Sequence, residues 1–242
     1  MTGTADTRRI TRLIAGAVLL LGGAADVRGQ YVERTSYDQS TSRYIAAGAF
    51  AREFAPRSSN DAPDSLVIRY ARVMPFLMYR NGVFDVTFGY AQYDLDGRSC
   101  SAIFLSTTVM TELPLAGTRE TALVLPLLVA ADFSKSEAAG SKRDDFNVAS
   151  IGIGTGLKFR SRGEGVDLSI GASGVIHYSF PGYSIRSGSS PAVLGEVAAL
   201  FHRVPVAGGI AAGYRFRLQS WSTGGFFDYR TVNHGLFVGV MF

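Results

Sequence analysis

The chain has little charge and, beyond its first residues, no long apolar run. Only 18% of its 242 residues are charged, although 47% are apolar. After the N-terminus no stretch reaches the roughly 20 apolar residues that a membrane-spanning helix needs. The apolar content of the body of the chain is therefore not explained by spanning helices.

Cysteine and histidine are also scarce. Cys100 is the single cysteine, so the chain forms no internal disulfide. We interpret its thiol as a packing group rather than a reactive one. Of the three histidines, His202 and His234 stand apart from other potential ligands, so we predict no metal site and no cofactor. The net charge of +4 comes from basic residues scattered singly, which argues against a nucleic-acid partner.

Glycine and aromatic residues are abundant instead, with 28 glycines, 16 phenylalanines and 11 tyrosines. This composition is typical of a barrel wall rather than of a helical protein. Turn-bounded runs that alternate apolar with small or polar residues predict strands. We count ten: 44–54, 66–80, 83–95, 99–113, 120–133, 146–160, 166–180, 191–203, 207–221 and 226–242.

The N-terminus has the pattern of a secretory signal peptide. Three arginines among the first twelve residues precede an apolar stretch at 13–25, and small residues follow it. We predict a cleaved signal peptide over 1–29 and a short periplasmic lead-in over 30–42. Residues 43–242 then form the predicted barrel domain.

The two faces of the predicted strands differ in polarity. In the sixth strand Ile151 and Ile153 share an apolar face, whereas Gly152 and Lys158 lie on the other face. A barrel of about ten strands is narrow, so inner charges should form ion pairs across a partly plugged lumen. They either fix the wall alone or line a conduction pathway. The predicted lumen charges are Arg69, Asp85, Lys158, Arg160, Asp167, Glu196, Arg215 and Arg217.

Turn residues and prolines predict local features. Asn81-Gly82 predicts a type I′ hairpin turn. Pro75 and Pro126 lie inside predicted strands, and because proline cannot donate to a strand ladder, we expect bulges there. Aromatic residues toward strand ends predict girdles at the two bilayer interfaces. They are Tyr79, Tyr90, Tyr93, Tyr178, Tyr214, Trp221 and Tyr229.

The final predicted strand carries the most specific pattern. Leu236, Val238, Val240 and Phe242 fall on one face of it, and the sequence ends on the aromatic residue. This ending resembles the C-terminal strand of Gram-negative outer-membrane β-barrel proteins. In those proteins the terminal aromatic residue belongs to the signal that the insertion machinery reads, which implies the same role for these four residues.

The predicted connections support this resemblance. The three longest follow odd-numbered strands and short turns follow even-numbered ones, an asymmetry typical of outer-membrane barrels that places both termini in the periplasm. The chain resembles the small outer-membrane barrels of the OmpA or OmpW kind. The resemblance implies an all-β, transmembrane, antiparallel up-and-down barrel of about ten strands, within eight to twelve.

Localisation and partners follow from that resemblance. The chain is expected in the outer membrane, in contact with its lipid and lipopolysaccharide and, during insertion, with the barrel assembly machinery. The oligomeric state is not predicted. The expected function is non-enzymatic: structural, or the passage or binding of a small solute.

Two alternatives belong to other functional classes. His177 and Ser179 share a strand face, and if the following hairpin centres near Ile185, Glu196 joins them on the next strand. This arrangement resembles the lipid A 3-O-deacylases, which implies Ser179 as nucleophile, His177 as base and Glu196 as orienting acid. The second alternative is a soluble periplasmic β-sandwich that acts as a binding module.

Overall fold

A computed structural model describes residues 42–58, 68–118, 120–138, 145–181, 187–204, 208–222 and 228–242. The predicted signal peptide and the lead-in up to residue 41 lie outside the described residues. The described residues contain no helix that is long and apolar enough to cross a membrane. Their ten strands are β1 (Tyr44–Ser58), β2 (Tyr70–Arg80), β3 (Phe84–Leu95), β4 (Arg98–Gly117), β5 (Thr121–Ser136), β6 (Phe146–Arg162), β7 (Val166–Pro181), β8 (Gly188–Phe201), β9 (Ile210–Trp221) and β10 (Asp228–Met241).

The strands form one closed antiparallel barrel in which neighbours in sequence are neighbours in the wall. β1 closes the barrel against β10, with Ile45 opposite Val240 and Phe54 opposite Thr231. The predicted ten-stranded up-and-down barrel is confirmed, and the two-sheet sandwich is wrong. We call the end where β1 begins and β10 ends the terminal end, and the opposite end the loop end.

Every strand turns large apolar side chains outward. On β10 Leu236 and Val238 are 68% and 60% exposed, whereas Phe237 between them is buried. The other strands expose, among others, Ile45, Leu77, Phe88, Leu105, Leu127, Ile153, Ile176, Val193 and Tyr214. A continuous apolar surface of this kind marks contact with a membrane or with another protein.

Glycines on the inward face of β6 leave room for side chains of the two neighbouring strands. The imidazole of His177 on β7 lies over Gly152 of β6, where an added Cβ would come within 2.7 Å of the ring. At Gly154 an added Cβ would lie 2.8 Å from Val175 and 2.9 Å from Leu128. The glycine-rich face of β6 is therefore where side chains from β5 and β7 meet.

Pro75 marks the point where β2 and β3 stop pairing. Only Phe76–Arg80 pair with Asp85–Gly89, although both strands continue toward the loop end. An added Cβ on Gly89 would lie 3.4 Å from the Pro75 carbonyl oxygen, so the backbone of Pro75 faces β3 without an N–H to donate. The bulge predicted here is wrong. We call the unpaired stretch, Tyr70–Pro75 beside Tyr90–Leu95, the β2–β3 seam.

Pro126 does not cause a bulge either. Pairing of β5 with β6 passes from Val124 and Lys158 to Leu127 and Thr155 without a change of register. The register shifts lie at two other prolines, between Pro56 and Ser58 in β1 and between Pro114 and Ala116 in β4. At a bulge the ladder can continue although proline has no N–H to donate. β1 and β4 therefore extend past the ends predicted at residues 54 and 113.

The predicted type I′ turn at Asn81-Gly82 is wrong. Positive φ in a non-glycine residue occurs, among the described residues, at Asp96, with φ of 50°, and Gly97 follows with 75°. Those two residues form the tight turn between β3 and β4. The Asn81 side chain instead accepts hydrogen bonds from the backbone N–H groups of Val83 and Phe84, at 3.0 and 2.8 Å. Its side chain thus stabilises a turn that needs no positive φ.

Candidate functional site

Aromatic rings fill the loop end of the lumen. Phe54 stacks on Tyr70 with ring centroids 5.4 Å apart, and Tyr70 stacks on Tyr93 at 4.2 Å. Phe146 meets Trp221 edge to face at 5.5 Å. We call the six buried rings the aromatic plug: Phe54, Tyr70, Tyr93, Phe146, Trp221 and Tyr229. Since no ring is more than 6% exposed, the plug excludes water from this level of the lumen.

The prediction of an aromatic girdle is wrong for three of its residues, which belong to the plug. Tyr93, Trp221 and Tyr229 are buried inside the barrel because each occupies an inward position of its strand. Tyr90 and Tyr178 do face outward, at 40% and 54% exposure. Proximity to a strand end therefore does not identify the face that an aromatic residue occupies.

Glu137 connects the plug to the strands around it. Its carboxylate accepts a hydrogen bond from the Ser101 backbone N–H at 2.8 Å and lies 3.3 Å from the Lys135 ammonium. Its backbone carbonyl accepts a hydrogen bond from the Tyr93 hydroxyl. Burial raises the pKa of Glu137, but the hydrogen bonds from Ser101 and Lys135 outweigh it and hold the pKa below its usual value. The carboxylate is therefore ionised where it joins β4 to the end of β5.

Two buried arginines lie next along the lumen. The guanidinium carbons of Arg52 and Arg217 are each 5.4 Å from the centroid of the Phe104 ring. Arg52 donates to the Ser134 hydroxyl at 2.9 Å, and Arg217 forms an ion pair with Asp132. These contacts, together with the aromatic face, replace the water that the buried guanidinium groups lose.

His177 belongs to this layer of the lumen. Its Nε2 lies 2.8 Å from Oδ2 of Asp132, and its Nδ1–H donates to the Ser190 carbonyl oxygen at 2.9 Å. Neither contact of the ring is with Ser179, whose hydroxyl oxygen has no hydrogen-bond partner among the described residues. Because the ring is also almost fully buried, it holds β5, β7 and β8 together rather than acting as a base.

The triad predicted from the sequence does not assemble. Glu196 lies opposite Gly171, six residues along β7 from His177. At about 3.3 Å per residue this separation is roughly 20 Å, far beyond hydrogen-bond reach. His177 pairs with Ser190, so the hairpin has a different centre from the one assumed. This geometry contradicts the deacylase alternative, and we assign no catalytic role to these residues.

Four charged side chains cross the lumen at the terminal end. Arg80 lies 2.6 Å from Asp85 and also pairs with Glu196. Arg215, from the opposite wall, lies 3.1 Å from Asp85 and 3.0 Å from Glu196. We call these residues the charge quartet. Its two cations and two carboxylates balance, as burial requires.

A second ionic group lies beside the quartet. Glu112 of β4 forms ion pairs with Lys158 at 3.2 Å and with Arg160 at 2.6 Å, both on β6. Nearer the terminal end, Asp167 lies 3.2 Å from His202. Among the described residues no three His, Cys, Asp or Glu side chains are grouped as a metal site would require.

Arg69 is the predicted lumen charge that lies elsewhere. Tyr70 takes the inward position in the plug, so Arg69 is exposed on the outer face. The other seven line the lumen or the cavities within it: Asp85, Lys158, Arg160, Asp167, Glu196, Arg215 and Arg217. Some charged interior residues were not predicted. Alternation within the predicted strands would have identified Arg52, Arg80, Glu112 and Asp132, whereas Arg162 lies beyond the predicted end of the sixth strand.

Two adjoining cavities occupy the lumen below the plug. The larger has a volume of about 130 Å³ and is bounded by the charge quartet and, toward the plug, by Phe104. The smaller, about 60 Å³, is bounded at the terminal end by Ser42 and Gly82. Lys158 and Ser169 line both cavities and mark the place where they adjoin, so a small molecule entering at the terminal end would reach these residues through the smaller cavity.

Comparisons with known proteins give only distant likenesses. No family model and no curated protein matches the chain. Among solved structures, the attachment invasion locus protein Ail of Yersinia pestis has 9% identity and a TM-score of 0.23, covering 84% of this chain and 99% of Ail. OpdQ of Pseudomonas aeruginosa has 8% identity and a TM-score of 0.17, covering 83% of this chain and 97% of OpdQ. Similarities this low identify neither the family nor the activity of the chain.

Proposed function

We propose that the chain is an integral outer-membrane β-barrel protein without catalytic activity, which binds a small solute from the periplasmic side and does not pass it across. One observation carries this proposal: the barrel is apolar outside and plugged at one end, with cavities toward the other. Membrane strands must satisfy every backbone group within the wall, and closure of β1 on β10 does so over most of the circumference.

The terminal end of the barrel faces the periplasm in this proposal. An even number of strands places both ends of the barrel domain on one side, as in outer-membrane barrels with short periplasmic turns. Three of the four turns at this end are short, and the fourth, between β8 and β9, spans 202–209. The cavities then open toward the periplasm, and the plug lies toward the cell exterior.

Lipid contact accompanies membrane insertion. Arg230 of β10 is exposed opposite Ala55 of β1, and continuation of the β1–β2 register places Arg69 on the other side of Ala55. Both arginines lie on the outer face at the loop end. In the proposed orientation they meet the phosphates of lipopolysaccharide, which guanidinium groups bind well.

Membrane insertion is tested by heat-modifiability after outer-membrane extraction. A folded barrel migrates on a gel differently from its boiled form, and we expect this for the extracted protein. Recovery in the soluble fraction without detergent would contradict the proposal.

Binding without passage is tested by conductance in planar bilayers. The wild-type protein should be silent because the plug blocks the lumen. A Phe54→Ala, Phe146→Ala and Trp221→Ala triple variant should conduct if it remains heat-modifiable. A triple alanine variant of outward residues Leu77, Ile153 and Ile176, also heat-modifiable, should stay silent. Steady conductance of the wild-type protein would show that the lumen is open, and would contradict binding without passage.

A further inference from the structure

The two lumen cavities are lined by more cations than carboxylates. Three carboxylates face them, from Asp85, Asp167 and Glu196. Six cationic side chains do so: Arg80, Lys158, Arg160, Arg162, Arg215 and Arg217. Glu112 and Asp132 offset part of this excess, but their side chains are fully buried behind the cavity walls. The surface that a solute meets is therefore positive, and low-dielectric walls focus that potential into the cavity.

The excess is concentrated where the two cavities adjoin. The charge quartet is balanced, and Arg217 is paired with Asp132. Lys158 and Arg160 share the carboxylate of Glu112, so this group brings two cations and one anion to the wall. Lys158 is the cation of this group that lines both cavities.

Hydrogen-bond donors surround the same position. The hydroxyl-bearing residues Thr108 and Ser173 line the larger cavity, and Ser169 lines both cavities. Hydroxyl and ammonium groups together form short, charge-assisted hydrogen bonds to anionic oxygens. The remaining wall near them, including Leu128 and Leu194, is apolar and excludes competing water. A volume of about 130 Å³ limits the ligand to a few heavy atoms.

We propose that the lumen binds a small oxyanion, a phosphate or a short carboxylate, beside Lys158 at the junction of the two cavities. This inference rests on the proposed function, since the anion enters from the periplasm. Ser173 donates a hydrogen bond to it, the Lys158 ammonium supplies the charge contact, and Ser169 lies beside the bound anion. The plug prevents its escape to the exterior.

Thiol labelling in a Cys100→Ser background tests the sign of the potential. A Ser169→Cys variant, reconstituted in vesicles, is treated with a sulfonate and with a trimethylammonium methanethiosulfonate reagent. The ratio of the two rates is compared with that of Glu164→Cys, an exposed position at the same end of the barrel. We expect the ratio at residue 169 to favour the anionic reagent by at least tenfold over the control, and Lys158→Gln to remove most of that preference. Lys135→Gln, the same charge change at the loop end, should leave it intact.

Protection by added anions tests binding itself. Inorganic phosphate or acetate should slow labelling of Ser169→Cys, and the more effective of the two identifies the oxyanion class. If Ser169→Cys reacts without anionic preference, or if neither anion protects it, the oxyanion inference is wrong while the binding cavity stands. If a folded Ser169→Cys barrel reacts with neither reagent, the cavity is not accessible and the proposed function itself fails. Should Lys158→Gln not fold, loss of phosphate protection in Ser173→Val serves as the second test.

Discussion

At the scale of single residues, buried charge decides which substitutions the barrel tolerates. Glu196→Gln would leave Arg80 and Arg215 with Asp85 as the remaining carboxylate of the quartet. Removing one partner from a buried ionic group costs about 3–5 kcal/mol. Glu164→Gln removes the same charge from an ion pair with Arg203 that is largely exposed, so it should change stability by less than about 0.5 kcal/mol. Urea unfolding of the refolded barrel in lipid vesicles measures both, and equal effects would contradict the ionic role of the quartet.

Glycine positions give a second prediction at this scale. Gly152→Ala would place a methyl group 2.6 Å from the Ile176 carbonyl oxygen and 2.7 Å from the His177 ring, and overpacking of this kind costs about 1–3 kcal/mol. Gly174→Ala is the matched control on the neighbouring strand, because no atom lies within 4 Å of its added Cβ. The same unfolding measurement should show a loss for the first variant and little change for the second. A stable Gly152→Ala variant would mean that His177 does not pack across β6.

The face on which a residue lies could be predicted from the sequence wherever the alternation of apolar and polar residues was unbroken. Ile153 and Leu236 lie on the outer face because strand geometry fixes the face once the strand is known. Pairing partners could not be predicted, since Glu112 and Asp132 reach their cations from strands distant in the sequence. The His177 contact with Asp132 and not with Glu196 depends on hairpin register, which alternation alone leaves undetermined.

At the scale of elements, the β2–β3 seam is the weakest part of the wall. Backbone amides of β3 beyond Gly89 that point toward β2 lack ladder partners there. We expect these amides to exchange with deuterium at least tenfold faster than those of β10, which is paired along both edges. Pro75→Ala restores an N–H facing β3 and should slow exchange at Tyr90 and Gln92, the alternate residues whose amides point toward β2. Pro126→Ala is the control, because it should leave exchange in the seam unchanged.

Two outcomes of that experiment would contradict the seam. One is wild-type protection of β3 beyond Gly89 that equals the protection of β10. The other is an equal slowing by Pro75→Ala and Pro126→Ala. Mass spectrometry of peptides from the refolded barrel gives the necessary resolution.

Element existence was predictable, whereas turn and bulge positions were not. The ten strands follow from alternation bounded by turn residues. Asp96-Gly97 and Asn81-Gly82 have similar propensities for a tight turn with positive φ, but only the first pair forms one. At Asn81 the side chain accepts backbone hydrogen bonds and stabilises a different turn. Bulges occur at Pro56 and Pro114 and not at Pro75, where the wall loses pairing instead.

At the scale of the whole molecule, closure depends on β10. Phe242 is exposed beside β1, and its backbone N–H donates to the Arg43 carbonyl oxygen at 3.0 Å. Phe242→Asp should reduce the heat-modifiable fraction in outer membranes at least tenfold, because it places a charge at the strand that completes the wall and carries the proposed assembly signal. Phe242→Tyr keeps the aromatic ring, and Ser173→Ala changes only the lumen, so both should assemble normally. Normal assembly of Phe242→Asp would contradict the assembly role of the final strand.

The overall architecture was the most predictable level and the interior the least. Alternation, turn spacing and the apolar final strand together indicated a closed barrel. The aromatic plug was missed because Phe54, Trp221 and Tyr229 come from β1, β9 and β10, and only closure brings β1 beside β10. Contacts that depend on closure are not encoded in any single strand.

Membrane insertion requires that the outer face of this barrel lies in lipid and that its inner face does not. Spin labels in a Cys100→Ser background measure this directly, with cysteines at outward Ile153 and Ile176 and at inward Ser173. In reconstituted vesicles, collisions with oxygen should exceed collisions with a water-soluble nickel complex at both outward positions. The order should reverse at residue 173. Greater nickel than oxygen accessibility at Ile153 and Ile176 would show that the apolar face lies in water and would contradict the account.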